Sequence, residues 1–311
     1  MFGWFGKREA KAEPIDAGLW ESATLPYLFM RGMAAADAER LRELASGFLA
    51  RKHFSGTHGL DITPFMRVQV AAQASILVLE LGIEWYDGWS EVIVYPGQFA
   101  PEREVVDETG VVHLVNDPMA GEAWLGGPVI LSYEDVAMTS DEDARVAGYN
   151  VVIHEFAHKL DMLNGDPNGC PPLHAGMALA AWRKAFSGAY DDFCRRVDEA
   201  DAREEDDGGA ALAELPIDPY GSESPGEFFA VASEAFFETP ELLEPAYPAV
   251  YGQLREFYRQ DPLARLAAAG GGGGAGAPPV RGRGRRGRRR SPARSGSTRS
   301  SSASGGRCSA G

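Results

Sequence analysis

Long apolar runs are missing from this 311-residue chain. No segment approaches the ~18 consecutive apolar residues of a membrane-spanning helix. The strongest aliphatic run, Ile76-Leu77-Val78-Leu79, sits inside a helical pattern and reads as core. The opening MFGWFGKREAKAEP has no apolar region of the length a signal peptide requires. Cysteine is scarce as well: Cys170, Cys194 and Cys308 are an odd number without metal-ligand spacing. A disulfide framework is not expected, and a reducing cytoplasm suits the composition. The expectation is a cytoplasmic protein that engages no membrane.

Basic charge is lacking too, except in one place. Ten of the 30 basic residues fall after Val280 with no acidic residue among them, which leaves 20 basic groups against 45 acidic ones before it. Such an acidic body repels phosphates, so no nucleic-acid partner is expected for the folded part. From Gly270 the chain reads GGGGGAGAPPV and then RGRGRRGRRRSPARSGS, with almost nothing to bury, and is expected to be disordered. An RNA-binding tail, an anionic-surface tether and a dispensable extension all fit that composition. The division expected is a flexible segment at 1–14, one domain at 15–268 and a Gly/Arg/Ser-rich tail at 269–311.

Within that domain the pattern predicts helices followed by a small sheet. Residues 34–52 form an amphipathic helix with Leu41, Leu44, Phe48 and Leu49 on one face. A second helix starts behind Thr63-Pro64 and runs to about Leu81. Strand composition marks residues 91–95, 111–115 and 128–133. A long helix is then expected from about Asp141, capped by Ser140, to Leu163, with Asn164-Gly165 as its stop. Helices at about 175–199 and 225–238 follow, a solvated acidic loop spans Asp198 to Asp207, and the last helix ends near Leu266.

The chemistry lies on the long helix, as His154-Glu155-Phe156-Ala157-His158. Two histidines at i and i+4 of a helix project from one face and can reach one Zn²⁺. At ~100° per residue, His158 lies ~40° from His154 and Asp161 at ~340°, so the three share a strip. Val146, Tyr149, Val152, Ile153, Phe156, Ala157, Leu160 and Leu163 fall on the opposite, apolar side. Glu155 stands beside the metal position without being a natural ligand. A carboxylate there can take a proton from a metal-activated water and return it to the leaving amine. Asp161 can accept the free N–H of a ligating histidine and fix its tautomer.

A catalytic zinc usually has three protein ligands and one open position, so a third ligand must come from elsewhere. The remaining histidines, His53, His58, His113 and His174, are scattered without partner motifs. The helix behind Ser224 carries Glu227, Glu234 and Glu238 among Phe228, Phe229, Phe236 and Phe237. Carboxylates in such company are normally paired or metal-bound. Yet Ser224-x-x-Glu227 is also a capping-box pattern, and spacing does not decide between cap and ligand.

HEFAHKLDMLNGD followed by DPYGSESPGEFFAVASEAFFETPELL resembles the Mlc titration factor A family, the glucose-regulated metallopeptidases. LELGIEWYDGWSEVIVYPGQF, GPVILSYEDV and FYRQDPLARL extend the likeness over about residues 15–267. The resemblance implies one zinc per chain, with His154, His158 and Glu227 as ligands and Glu155 as general base. It implies that Tyr220, seven residues before Glu227, is an oxyanion partner, although Asp218-Pro219-Tyr220-Gly221 also reads as a plain turn. A more distant likeness to the anthrax lethal factor catalytic domain, in the H-E-F-x-H-x-x-D pattern and in E-F-F-A, favours Glu227 over Glu234 as ligand. Glu234 is then an outer partner of the site. The fold implied is α+β and zincin-like, with helices on a small mixed sheet and the HExxH helix lining a cleft. Residues 128–133 are the expected edge strand for an extended peptide. The activity implied is aminopeptidase-like peptide hydrolysis. The alternative is a regulatory protein that sequesters a Mlc-like transcriptional repressor, with proteolysis secondary. The acidic 198–207 segment and the Arg-rich tail depart from the family pattern.

Overall fold

A computed structural model describes residues 12–99, 103–106, 112–115, 119–138, 148–203 and 209–270. The first helices are α1 (Ala17–Thr24), α2 (Ala35–Arg51) and α3 (Pro64–Leu77), with strand β1 (His53–Gly56) between the last two. In α2, Leu41 and Phe48 are fully buried and Leu44 and Leu49 pack against the core, as the periodicity predicts. Thr63 caps α3 by accepting the Met66 N–H at 3.2 Å, and Pro64 opens the helix with its φ already set. The helix ends at Leu77, short of Leu81, because the chain turns toward Gly82, whose φ of 97° only glycine adopts easily.

Strands β2 (Glu91–Tyr95), β3 (Arg103–Val106), β4 (Val112–Val115), β5 (Gly121–Ala123) and β6 (Val129–Ser132) follow. Among the described residues β3 and β4 pair with each other, and the other four strands form one mixed sheet in the order β1-β2-β6-β5. β1, β2 and β6 are parallel, and β5 returns antiparallel along β6. The expected edge strand at 128–133 is therefore interior. Both hydrogen-bonding edges of β6 are taken, by β2 and β5, and all four of its residues are buried. An unbroken Val-Ile-Leu run is the mark of such a central strand. Among the described strands of this sheet β1 and β5 are the edges, and β5 is the one beside β6 and α5.

Helices α4 (Tyr133–Met138), α5 (Val151–Asp161), α6 (Leu179–Asp201), α7 (Ala210–Ala213), α8 (Pro225–Glu238), α9 (Pro240–Ala246), α10 (Pro248–Tyr258) and α11 (Pro262–Gly270) complete the described chain. The helix that carries the motif begins at Val151 rather than at Asp141, behind Asn150, which caps α5 by accepting the Ile153 N–H at 3.0 Å. Gly148 at φ 73° and an extended Asn150 set the helix start there. Ser140 and the acids at 141–143 lie outside the described residues. α5 gives way to a 3-10 turn over Met162–Asn164, and Gly165 at φ 136° ends it, close to the expected stop. Asp198 to Asp201 belong to the end of α6 and not to a loop, and residues 204–207 of the acidic segment lie outside the described residues.

The fold is thus mixed α and β around one core. α5 packs on α3 and α8 and lies over β5 and β6. Most of its predicted apolar side reaches the core: Val152, Ile153, Phe156, Ala157 and Leu160 are fully buried, whereas Leu163 is exposed and Val146 lies outside the described residues. Phe156 anchors it among Phe48, Tyr86 and Trp89, at ring-centroid distances of 5.5, 5.2 and 5.7 Å. Among the described residues no helix is long and apolar enough to cross a membrane.

Candidate metal centre

α5 and α8 meet at their polar strips. Ser224 caps α8 by accepting the Glu227 N–H at 3.1 Å, which is one half of a capping box. The other half does not form. The Glu227 carboxylate turns away from its own helix end, with Oε2 3.0 Å from His154 Nε2 and 3.3 Å from His158 Nε2. The two Nε2 atoms are themselves 3.2 Å apart. Three ligands bound at about 2.0–2.1 Å to one tetrahedral ion are separated by about 3.3 Å, so this triangle has the size of a zinc ligand set.

Hydrogen bonding orients one of the rings. Glu234 Oε1 lies 2.7 Å from His154 Nδ1, and its other oxygen accepts the Asn150 N–H at 2.6 Å. With the Nδ1 proton given to Glu234, the Nε2 lone pair of His154 points at Glu227 and His158. An imidazole lone pair, a second imidazole and a carboxylate oxygen aimed at one point suit an electropositive centre. His154, His158 and Glu227 are a set that can hold a metal ion. Without one, a proton serves: burial disfavours charge on His154, but its bonds to Glu227 and Glu234 outweigh that and hold its pKa well above the usual value. Burial likewise opposes charge on Glu227, and the histidine contacts overcome it, holding its carboxyl far below the ordinary range.

The other expected residues divide. Glu155 is buried on α5, with its side chain against Gly121 of β5. Tyr220 sits in a 3-10 turn over Pro219–Ser222 in which Asp218 accepts its N–H at 2.8 Å, and its ring centroid is 5.9 Å from that of His154. The turn reading of Asp218-Pro219-Tyr220-Gly221 and a place beside the histidines therefore hold together. Asp161 corrects an expectation. Its carboxylate accepts the N–H groups of Gly169 and Cys170 at 2.7 and 2.8 Å, and no imidazole N–H. The angle from His154 was right, but a residue two turns on reaches the loop that follows the helix. Burial raises the Asp161 pKa to about 6 against the pull of those N–H groups and of His158. The role foreseen for it, holding a histidine tautomer, is filled at His154 by Glu234.

Three residues at the site escaped the sequence reading. Asn150 caps α5 and also gives its side-chain N–H to Glu238 at 2.8 Å, joining the start of α5 to α8. Its signal, an Asn just before the apolar run, was outweighed by Ser140 and the acids behind it. Lys159 donates to the carbonyls of Trp124 and Gly127 at 2.7 and 2.9 Å, fastening the β5–β6 turn to the helix that carries His158. Nothing local marks it, because a lysine on a helix normally faces water. Gly121 was visible only as a glycine at the start of a short segment, which is a sign of close approach.

A family model described as glucose-regulated metallo-peptidase M90 matches residues 2–259. The chain belongs to that family. It is 37% identical to Mlc titration factor A of Yersinia pestis (strain Pestoides F) over 267 residues, 86% of this chain and 93% of the relative. The same figures hold against Mlc titration factor A of Yersinia pseudotuberculosis serotype O:1b (strain IP 31758). The likeness to the glucose-regulated metallopeptidases is thus shown. The matched span takes in both helices of the cluster, and a metallopeptidase family is one in which a cluster of this kind has a use.

Proposed function

We propose that the domain at residues 15–268 is a cytoplasmic zinc-dependent peptidase acting on short peptides in an aminopeptidase-like manner. The observation that carries this reading is the meeting of His154, His158 and Glu227 at 3.0–3.3 Å, with Glu155 next to His154 on α5. His154, His158 and Glu227 would hold one zinc, which supplies an activated water and a polarised carbonyl. Glu155 takes the proton of the attacking water and delivers it to the leaving amine. Tyr220 donates its hydroxyl to the carbonyl oxygen as negative charge develops there. Glu234 holds His154 in the tautomer that leaves Nε2 free to bind, an outer-partner role. Asp161 serves the cluster indirectly, by fixing the loop after α5. The HExxH helix and β5 line the cleft, and an extended peptide pairs with the edge of β5.

The name of the relatives favours a second reading, in which the chain titrates a Mlc-like repressor and proteolysis is secondary. Retention of Glu155 supports the enzyme, since a binding surface has no use for a base beside a metal. The deciding experiment measures bound zinc and peptide hydrolysis for the wild type, Glu155→Gln and Glu227→Ala. One zinc per wild-type chain with no hydrolysis across a broad peptide panel would sink the enzyme and leave the binding protein. Deletion after Ala269 with full retention of activity is expected if the tail serves neither role.

A further inference from the structure

The edge strand meets the general base at one residue. A Cβ built on Gly121 would stand 2.4 Å from Glu155 Oε1, 2.6 Å from its Cγ and 2.7 Å from its Cδ. These separations are far inside contact distance, and they involve the stem of the side chain as well as its tip. A small swing of the carboxylate cannot relieve them; Glu155 would have to leave its rotamer. The backbone does not require glycine here, since Gly121 is absent from the positive-φ positions. It lies in regular antiparallel register with Leu131. Glycine at this position therefore has one physical consequence, which is room.

We propose that Gly121 is a positioning residue for Glu155: by lacking a side chain, it lets the edge strand lie directly against the base and holds the carboxylate in its place beside the metal ligands. A strand that both pairs with substrate and abuts the base sets the distance between scissile bond and proton acceptor. Moving the base by about 1 Å can cost about 100-fold in rate, so the residue facing it matters as much as its own identity. The catalytic consequence rests on the peptidase reading above, whereas the placement of Glu155 does not.

The test is a double-mutant cycle on the zinc-loaded full chain: wild type, Gly121→Ala, Glu155→Ala and the double variant, followed by thermal unfolding. Gly121→Ala is expected to lower the midpoint by several degrees in the wild type, through overpacking. In the Glu155→Ala background the added methyl enters freed space and the midpoint should not fall. A Gly121→Ala chain that folds only in that background supports the proposal equally. The same loss in both backgrounds, failure to fold in both, or no change in either would overturn it. For hydrolysis, Gly121→Ala should retain one zinc and lose about 10- to 100-fold in kcat with little change in KM. A wild-type kcat would refute the positioning role. Should the wild type cleave no peptide, the peptidase reading falls alone, and the unfolding cycle still decides where Glu155 is held.

Discussion

The two helices that build the candidate metal cluster reach it by different means. α5 contributes two histidines through local geometry, because i and i+4 residues of any helix share a face. α8 contributes Glu227 through tertiary packing, because a first-turn glutamate behind a Ser cap has a nearer use at its own helix end. Its carboxylate is on the histidines while Ser224 makes its bond to the Glu227 N–H unreciprocated. The contrast teaches that a ligand from a motif helix can be named from spacing, whereas one from a partner helix depends on which neighbour lies across from it.

The sharpest test of that contrast is on α5. Glu155→Gln is expected to keep zinc and lose peptide turnover by about 10²–10⁴-fold, measured as metal content beside kcat. On α8, Glu227→Ala should weaken zinc binding by more than about 100-fold in a competition titration, because even outer partners of a ligand are worth about 10- to 100-fold. Unchanged affinity would return Glu227 to a capping role and dissolve the difference between the helices. Glu234→Gln should fall in that lower range, about 10- to 100-fold, since His154 then loses its carboxylate partner.

Chelation probes what joins the helices when no metal does. Because α5 and α8 are buried in a shared apolar core, the stripped protein should keep its helical circular dichroism. It should lose only the mass-action term, about 4 kcal/mol at a thousandfold excess over Kd. Its pH dependence has a definite sign. The raised pKa of His154 contributes stability that is complete below about 6.5 and is lost as pH rises toward the folded value. The lowered pKa of Glu227 contributes stability present above about 4.5 and lost as pH falls. For this pair the metal-free protein is most stable between those limits, and zinc, by displacing the His154 proton, should flatten the alkaline slope in urea titrations. The smallest effect expected is Ser224→Ala, about 1 kcal/mol of stability with zinc affinity untouched. A loss of metal there would mean that cap and ligand are not separable.

How far each part was legible follows from the range of the forces involved. The α5 apolar side, the α2 face and the Thr63 cap were readable because they depend on residues within one or two turns. The start of α5 was misplaced because Glu234 and Glu238, more than eighty residues away, hold Asn150. The edge strand was misassigned because an apolar run shows that a strand is buried without saying which strands flank it. Asp161 shared the predicted strip but found backbone N–H groups in the loop at Gly169 and Cys170.

By itself, then, the order of residues determined a helix with two histidines and a carboxylate on its polar side, in a chain with no membrane helix among the described residues. Periodicity and capping are local, and 3.6 residues per turn suffices to place those groups. Only the tertiary structure brought Glu227 across to them, put Glu234 behind His154 and laid β5 against Glu155. Those arrangements depend on how two helices and a sheet edge pack, and packing is decided by the whole core at once.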